Sequence, residues 1–238
     1  TALLYTMVAS AVAYAVNGMF VGWQPLFKLN ITVAPHLSDY GWYVALGLLS
    51  GVVATFLPVV FYRTRDAFHQ LPIPAWLKPA VGGLGVGLIA LKLPQVLGGG
   101  YGWMQMAMNG QLALHLLLIL VVAKLAAFAL TVSSGGSGGV FAPSLYIGAM
   151  LGVACSLLFH QPPAVFAVVG MAAVFGAAAR VPVATMLMVT EMAGGYQLLT
   201  PAGSAVVLAY LMQRWLSRGF KYRSLYEAQV PQREDSPA

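Results

Sequence analysis

Long apolar stretches alternate with short polar or glycine-rich connections along this chain, and the pattern predicts membrane-spanning helices. No Asp, Glu, Lys or Arg occurs within residues 1–27, 40–62, 93–123, 125–179 or 192–213. A helix needs about 20 apolar residues to cross a bilayer, so several stretches are long enough for one span and the longest for two. Continuous apolar runs favour helices over the alternating strands of a membrane barrel.

The breaks between the apolar stretches place the predicted helices. Their expected ranges are residues 1–21, 41–62, 77–93, 104–108, 111–130, 140–159, 164–179, 183–192 and 201–216. Residues 63–76, which include Pro72 and Pro74, are predicted to form a cytoplasmic loop with a short amphipathic helix. Gly47 and Gly51 are four residues apart, which predicts a close approach by another helix. Short and interrupted helices are typical of transporters and channels with binding sites at mid-membrane.

Composition supports the membrane assignment. The chain has 238 residues, of which 60% are hydrophobic and 8% charged, and its mean hydropathy is +0.81. Soluble domains carry about 25% charged residues. The first apolar stretch lacks a basic segment and a small-residue cleavage pattern, so it is not interpreted as a signal peptide. The chain begins Thr1-Ala2-Leu3 without Met, and we expect it to start inside a longer protein.

The net charge of +6 does not predict nucleic-acid binding, because the basic residues lie at the ends of apolar stretches. They form two groups: Arg63, Arg65 and Lys78, and Arg214, Arg218, Lys221 and Arg223. Lys and Arg are enriched in cytoplasmic loops, so the C-terminus is predicted to be cytoplasmic and the loop with Lys28 and Asp39 extracellular. Residues 1–222 are expected to form the membrane domain, and residues 223–238 a cytoplasmic segment and linker.

A polar, glycine-rich loop interrupts the longest uncharged stretch. It contains Ser133, Ser134, Gly135, Gly136, Ser137, Gly138, Gly139, Val140, Phe141, Ala142 and Pro143. Irregular backbone is tolerated inside a membrane only where it packs in protein or lines a solvated path. A helix predicted to follow directly would present unpaired N–H groups and the positive end of its dipole, which together bind an anion. The alternative is a flexible surface linker, although apolar helices on both sides argue against it.

The other polar residues of the sequence give weaker evidence of function. The sequence has no nucleophile–base pair, metal-ligand cluster or phosphate-cradling motif, so we predict neither an enzyme nor a metal or organic cofactor. Arg180 and Glu191 are the only charges between Lys124 and Arg214, and we interpret both as residues at helix ends near an interface. Three further residues are predicted to pack or to lie at an interface: His115, His160 and Cys155. From periodicity alone, Tyr226 is an interfacial tyrosine.

Several motifs, in order along the chain, resemble the CLC family of chloride channels and proton/chloride antiporters. Residues 139–143, Gly-Val-Phe-Ala-Pro, resemble the family's GxFxP motif, and Gly135-Gly136-Ser137 before it is also typical. Residues 176–182, 191–196 and 224–228 resemble the family's small-residue/Arg/Pro stretch, its Glu-[Leu/Met]-Thr-Gly-x-Tyr segment and its C-terminal tyrosine segment. The resemblance covers nearly the whole chain, but only about half of the family's membrane domain.

The resemblance implies a fold and an activity. It implies an all-α polytopic membrane protein, the second half of an inverted-topology repeat with short, tilted and broken helices. The implied function is chloride transport, as a channel or a proton/chloride antiporter, with no cofactor except a bound chloride ion. That ion would receive hydrogen bonds from the Val140 and Phe141 amides and the Tyr226 hydroxyl. Tyr222 is a rival for the tyrosine role.

The resemblance also implies partners and a location. The missing N-terminal half would complete the site, and the complete protein would be a homodimer in the inner membrane of a bacterium. Small residues on the expected interface helices are Ala9, Ser10, Ala13, Ala205 and Ala209. The motifs resembling GSGIP and GREGP are absent from the chain, and with them the residues that separate channels from antiporters. The alternatives are transport of another anion, such as nitrate or fluoride, and a non-conducting membrane fragment.

Overall fold

Every regular element in the described part of the chain is helical. The structure is a computed structural model, and it describes residues 2–29 and 39–226. The helices within these ranges are α1 (Ala2–Val21), α2 (Tyr40–Gln70), α3 (Lys78–Lys92), α4 (Tyr101–Met108), α5 (Leu114–Ser133), α6 (Phe141–Phe159), α7 (Pro163–Ala179), α8 (Pro182–Met192) and α9 (Leu199–Leu216). The predicted all-α fold is confirmed, and most helix boundaries lie within three residues of their predicted positions.

Four helices among the described residues are long and apolar enough to cross a membrane: Tyr40–Gln70, Ala75–Lys92, Leu114–Ser133 and Phe141–Phe159. Shorter apolar helices cover Leu4–Phe20, Pro163–Ala179 and Pro182–Met192. Two of these shorter helices, α7 and α8, begin at a proline. Proline suits the first helical position because its missing N–H has no acceptor there and its φ is already helical. The mixture of full-length and short helices matches the interrupted pattern of the sequence.

Helices α6 and α7 form the centre of the molecule. Almost every residue of α7 from Val165 to Ala179 is buried, as is α6 from Ser144 to Ser156. A helix that is apolar on all sides is expected to be surrounded by other helices. Gly148 of α6 and Gly170 of α7 allow a close approach, because a Cβ on either glycine would collide with the backbone of the other. This packing fixes the position of the α6 N-terminus.

Helix α2 is longer than the sequence predicted. It continues from Tyr40 to Gln70, 31 residues, so the prediction of a loop from residue 63 with a separate short helix is wrong. The first helix breaker after Pro58 is Pro72, and the residues between them have no glycine. A helix of this length is about 46 Å long, which exceeds the hydrocarbon thickness of about 30 Å. The charged residues Arg63, Arg65 and Asp66 therefore extend α2 instead of ending it.

Small residues bring α2 and α9 together. A Cβ on Gly47 would lie 2.8 Å from the carbonyl oxygen of Ala205, and one on Gly51 would lie 2.8 Å from that of Ala209. The close approach predicted from the spacing of the two glycines is confirmed. Ala205 and Ala209 are fully buried in this contact. They face α2 within the same chain, so the prediction that they line a subunit interface is wrong.

Candidate anion site

The glycine-rich loop begins as a cap on helix α5. The N–H of Gly135 donates to Val132 O at 3.2 Å, and the N–H of Gly136 donates to Thr131 O at 3.0 Å. This pair of bonds is the Schellman pattern that closes many helix C-termini. Gly135 has φ +92°, a conformation that favours glycine. The first half of the loop therefore has its backbone donors satisfied and its path fixed.

Neighbouring helices hold the start of the loop in place. The Ser133 hydroxyl donates to the carbonyl oxygen of Phe61 in α2 at 3.0 Å. The Ser134 hydroxyl donates to Thr131 O at 3.0 Å. Ser133 and Ser134 are both buried. These bonds attach the loop to α2 and α5, so it is an ordered connection within the helical body, and the linker interpretation does not fit.

The second half of the loop leaves its donors open. No described residue accepts a hydrogen bond from the backbone N–H groups of residues 137–142. Ser137, Gly138 and Gly139 are exposed, and Val140 and Phe141 are half-buried. The Ser144 N–H is the first to bond within the new helix, to Val140 O at 3.3 Å. The Val140 and Phe141 amides therefore lie where unpaired donors meet the positive end of the α6 dipole.

Lys124 lies beside this loop and was not predicted as a site residue. Its side chain is only 3% exposed, and its ammonium donates to Val96 O and Gly98 O, both at 2.7 Å. The ammonium also lies 4.8 Å from the centre of the Tyr146 ring. The sequence did contain a signal, because Lys124 is the only charged residue between Lys92 and Arg180.

A cavity of about 290 Å³ joins Lys124 to the loop. Its lining includes Ser137, Gly138, Gly139 and Pro143 as well as the Lys124 side chain. The lysine is held by carbonyl oxygens and a ring face, and no carboxylate is among the described residues around the cavity. Carbonyl dipoles solvate a cation without cancelling its charge. The cavity therefore combines a buried positive charge with unpaired backbone donors.

The two candidate tyrosines have different surroundings. The Tyr222 ring stacks on Tyr62 with centroids 4.0 Å apart, and its hydroxyl accepts a hydrogen bond from Arg65 at 3.3 Å. The Tyr226 hydroxyl is bonded to no described residue, and its side chain is half-buried. Burial raises the pKa of Tyr226, so its hydroxyl is protonated and able to donate at neutral pH.

The last turn of α7 connects the loop with the tyrosine segment. The Phe141 ring meets the Phe175 ring edge-on with centroids 5.0 Å apart. Three residues further along α7, the Ala178 carbonyl accepts a hydrogen bond from the Leu225 N–H at 3.0 Å. The Leu225 carbonyl in turn accepts a bond from the Tyr62 hydroxyl at 3.1 Å. Residues 223–226 thus dock on the helical body, while residues 227–238 of the predicted C-terminal segment lie outside the described residues.

Other polar residues of the long apolar stretches lie at helix ends. Arg180 follows α7 with φ 60°, and Glu191 is exposed in the last turn of α8. His160 follows α6 with φ 54° and is exposed, as is His115 at the start of α5. Cys155 is buried in the core of α6. The helix-end positions predicted for Arg180 and Glu191 are confirmed, and Cys155 is a packing residue as expected.

The fold and this loop define a class: helical membrane proteins in which a broken helix directs its N-terminus toward a buried polar cavity. Residues 1–214 match the sequence profile described as "Voltage gated chloride channel". The match covers most of the chain, so the chain belongs to this family of integral membrane channels and transporters.

Individual relatives agree with the family assignment. The chain is 32% identical over 224 residues to a putative chloride channel protein ClcB-like from Ralstonia nicotianae, covering 89% of the chain and 51% of that protein. It is 31% identical over 210 residues to the H(+)/Cl(-) exchange transporter ClcA of Salmonella agona, covering 83% of the chain and 44% of that protein. The chain therefore spans about half the length of these relatives, as the motif order predicted.

Solved structures show the same architecture. The structure of a slow cyanobacterial Cl-/H+ antiporter matches with a TM-score of 0.78 and 26% identity, covering 88% of the chain and 51% of that protein. The structure of a CLC-type fluoride/proton antiporter matches with a TM-score of 0.70 and 25% identity, covering 83% of the chain and 50% of that protein. The predicted CLC-type membrane fold is confirmed by these matches.

Proposed function

We propose that this chain supplies one wall of a chloride pathway across a membrane. The observation that carries the proposal is the run of unpaired backbone N–H groups at residues 137–142, which ends at the N-terminus of the buried helix α6. Neutral N–H donors replace part of the hydration of an anion but hold it weakly enough for it to leave. The Val140 and Phe141 amides are the central donors, and the rest of the loop from Ser134 to Pro143 shapes the path.

Tyr226 is the side-chain donor in this site. Its hydroxyl is bonded to no described residue, whereas the Tyr222 hydroxyl is already bonded to Arg65. The hydrogen bond from Leu225, which precedes Tyr226, to Ala178 supports this role, because Ala178 lies one turn from Phe175, the residue that contacts Phe141. A protonated phenol adds one more neutral donor to the anion without adding a fixed charge.

Lys124 provides long-range attraction. Its ammonium is bonded to two carbonyl oxygens beside the loop and keeps its positive charge in a region of low dielectric constant. A charge in such surroundings acts over a longer distance than one in water. Its role is to draw anions toward the cavity, while the uncharged amides and Tyr226 contact the ion itself.

A complementary half of the membrane domain completes the pathway. Ser137, Gly138 and Gly139 are exposed on the surface of this chain, and exposed irregular backbone is not tolerated in contact with lipid. An inverted-repeat partner covers this surface and contributes the other side of the anion site. The complete protein is a homodimer in a bacterial inner membrane, with the end of α9 on the cytoplasmic side, where basic residues are enriched.

Chloride efflux from liposomes that contain the complete protein tests this proposal. Chloride-loaded liposomes with a potassium ionophore are expected to release chloride in proportion to the amount of protein, and protein-free liposomes are the control. The absence of protein-dependent flux of any halide or nitrate would overturn the proposal. Release that acidifies or alkalinises the medium in a fixed ratio to chloride would identify an antiporter rather than a channel.

Fluoride is the second candidate, because one structural neighbour is described as a CLC-type fluoride/proton antiporter. The same liposomes, loaded with equal concentrations of chloride, nitrate and fluoride in turn, decide between these anions. Chloride release that exceeds fluoride release supports the first candidate. Fluoride release that exceeds chloride release supports the second and leaves the anion site in place with a different preference.

A further inference from the structure

Arginine side chains surround a second polar concavity, at the end of α9. The concavity has a volume of about 480 Å³ and is lined by Arg180, Tyr210, Arg214, Arg218 and Arg223. No Asp or Glu is among the described residues of this lining. The group lies outside the loop and cavity that form the anion site, and none of its members takes part in the proposed chloride pathway.

Buried polar side chains hold one wall of this concavity. The Arg180 guanidinium donates to the Ser217 hydroxyl at 2.9 Å and to the Gln213 side-chain oxygen at 3.4 Å. Gln213 and Ser217 are both buried, with 0% and 1% of their surface exposed. The Gln213 amide also donates to the Arg223 carbonyl at 2.6 Å. The base of the concavity is therefore a connected hydrogen-bond network, which fixes the orientation of the Arg180 guanidinium.

The solvent-exposed side of the concavity carries two further arginines. Arg214 lies in the last turn of α9 and Arg218, four residues later, in the short 3-10 helix Ser217–Gly219 that follows, and both are exposed. Arg214 donates to the Tyr210 hydroxyl at 3.4 Å, and Arg218 donates to no described acceptor. Like charges at this spacing repel each other. A ligand with several negative oxygens would relieve that repulsion at both residues.

The chemistry and position of the concavity identify the ligand class. We propose that it binds a phosphate group. Guanidinium groups donate pairs of hydrogen bonds that match phosphate oxygens, whereas chloride offers no such geometry. Trp215, adjacent to Arg214, is 60% exposed, and exposed tryptophan is enriched at the level of lipid headgroups. Basic residues at that level bind anionic headgroups. The phosphate can belong to an anionic phospholipid or to a soluble phosphate compound.

Binding measurements on the complete protein separate these two sources. Native mass spectrometry from a neutral detergent measures retention of phosphatidylglycerol against phosphatidylcholine, and calorimetric titration measures binding of inorganic phosphate. Retention of phosphatidylglycerol identifies a headgroup site, and phosphate binding without lipid retention identifies a soluble ligand. Binding of neither probe overturns the proposal.

A double variant tests the location. Arg214→Gln/Arg218→Gln is expected to weaken binding of the retained probe about ten-fold or more, because two charge-assisted hydrogen-bond donors are removed. The control variant Arg63→Gln/Lys221→Gln removes the same amount of charge from a different surface. Neither residue lines the concavity, so this variant should bind the probe as tightly as the unmodified protein does. Equal losses in both variants would show only general charge attraction and would overturn the site.

Two further outcomes would also overturn the proposal. Residues 227–238 include Glu227, Glu234 and Asp235 and lie outside the described residues. If neither probe binds until Glu234→Gln and Asp235→Asn are introduced, the chain's own carboxylates are the ligands. If Arg214→Gln/Arg218→Gln lowers chloride flux but leaves probe binding unchanged, the arginines steer the permeant ion. The proposal does not depend on which anion the protein transports.

Discussion

The Phe141 ring contacts the edge of the Phe175 ring with centroids 5.0 Å apart, and this contact joins the start of α6 to the end of α7. One turn beyond Phe175, Ala178 holds the backbone of Leu225. Two segments that are more than 80 residues apart in the chain therefore attach to the same helix end. The amide donors and the candidate tyrosine depend on α7 for their relative position.

Removing the Tyr226 hydroxyl is expected to weaken anion binding without unfolding the protein. Tyr226→Phe deletes one of several donors, so the loss should be about 1–3 kcal/mol of binding free energy. Tyr222→Phe is the matched control, because that hydroxyl is bonded to Arg65 rather than directed at an ion. Calorimetric titration of chloride into the complete protein measures both. If Tyr222→Phe weakens binding and Tyr226→Phe does not, the tyrosine is wrongly assigned.

Replacing Lys124 tests the attraction proposed for its charge. Lys124→Met removes the ammonium beside the loop and leaves Val96 O and Gly98 O without their donor. Chloride flux is expected to fall, and the thermal unfolding temperature should fall with it. Lys124→Arg keeps the charge and should restore most of the flux.

A second lysine serves as the control for the loss of a positive charge in general. Lys92→Met removes an exposed lysine at the end of α3 and should leave flux unchanged. Flux that is equal in Lys124→Met, Lys124→Arg and the unmodified protein would show that the buried charge has only a structural role.

Residues 1–238 alone are expected not to conduct. The unpaired N–H groups of Ser137, Gly138 and Gly139 are exposed in this chain, and a half-site open to lipid is not a pathway. Liposomes that contain this chain alone should retain chloride as protein-free liposomes do. Restoration of flux by co-reconstitution with the complementary half would support the proposed division of the site, and selective flux from the chain alone would contradict it.

Local sequence patterns predicted the helices well because the signals that define them are local. Pro163 and Pro182 mark helix starts, and Gly135 and Gly136 mark a helix end. The wrong prediction for the end of α2 also came from a local signal. The charges at residues 63–66 predict the end of a membrane span, but arginine is a good helix former, so the helix continues past them until Pro72 ends the pattern.

Long-range partners were beyond the reach of these patterns. The acceptors of Lys124 lie 28 and 26 residues earlier in the chain, and no periodicity connects them. Ala205 and Ala209 show the same limit. Their small size predicted a close helix contact, which exists, but a one-dimensional pattern does not tell whether the neighbour is α2 or another subunit.

The subunit interface is expected to use a different face of α9 from the one that the sequence predicted. Ala205 and Ala209 contact α2, while Val207 and Leu211 are 53% and 54% exposed. Leu211→Cys in the complete protein should therefore form a covalent dimer with a bis-maleimide in mild detergent. Ala209→Cys is the buried control and should form no covalent dimer. The native Cys155 is buried and should not react.

A covalent dimer formed by Ala209→Cys but not by Leu211→Cys would contradict the prediction that the Leu211 face of α9 lies at the subunit interface. The absence of any cross-linked dimer from Leu211→Cys, together with a monomer mass in light scattering, would contradict the homodimer itself. Helix α1 offers a second site for the same experiment, because Ala9, Ser10 and Ala13 are all exposed.

The loop's shape depends on the absence of a side chain at Gly136. An added Cβ would lie 2.7 Å from the Thr131 carbonyl oxygen, the same atom that accepts the Gly136 N–H bond at 3.0 Å. Gly136→Ala should therefore open the α5 cap and destabilise the complete protein by about 1–3 kcal/mol. The chloride affinity should fall as well, because the cap fixes the path that leads to the Val140 and Phe141 amides.

Gly139 provides the comparison within the same loop. An added Cβ there meets nothing within 4 Å in this chain, so Gly139→Ala should leave the α5 cap intact, and any loss of chloride affinity would come from contact with the ion or with the complementary half. Unfolding curves and chloride titrations of both variants distinguish support of the loop from contact with the ion. If Gly136→Ala has the same unfolding temperature and chloride affinity as the unmodified protein, the cap does not determine the position of the donors. The packing of α6 on α7, which includes the contact between Phe141 and Phe175, would then be what holds them.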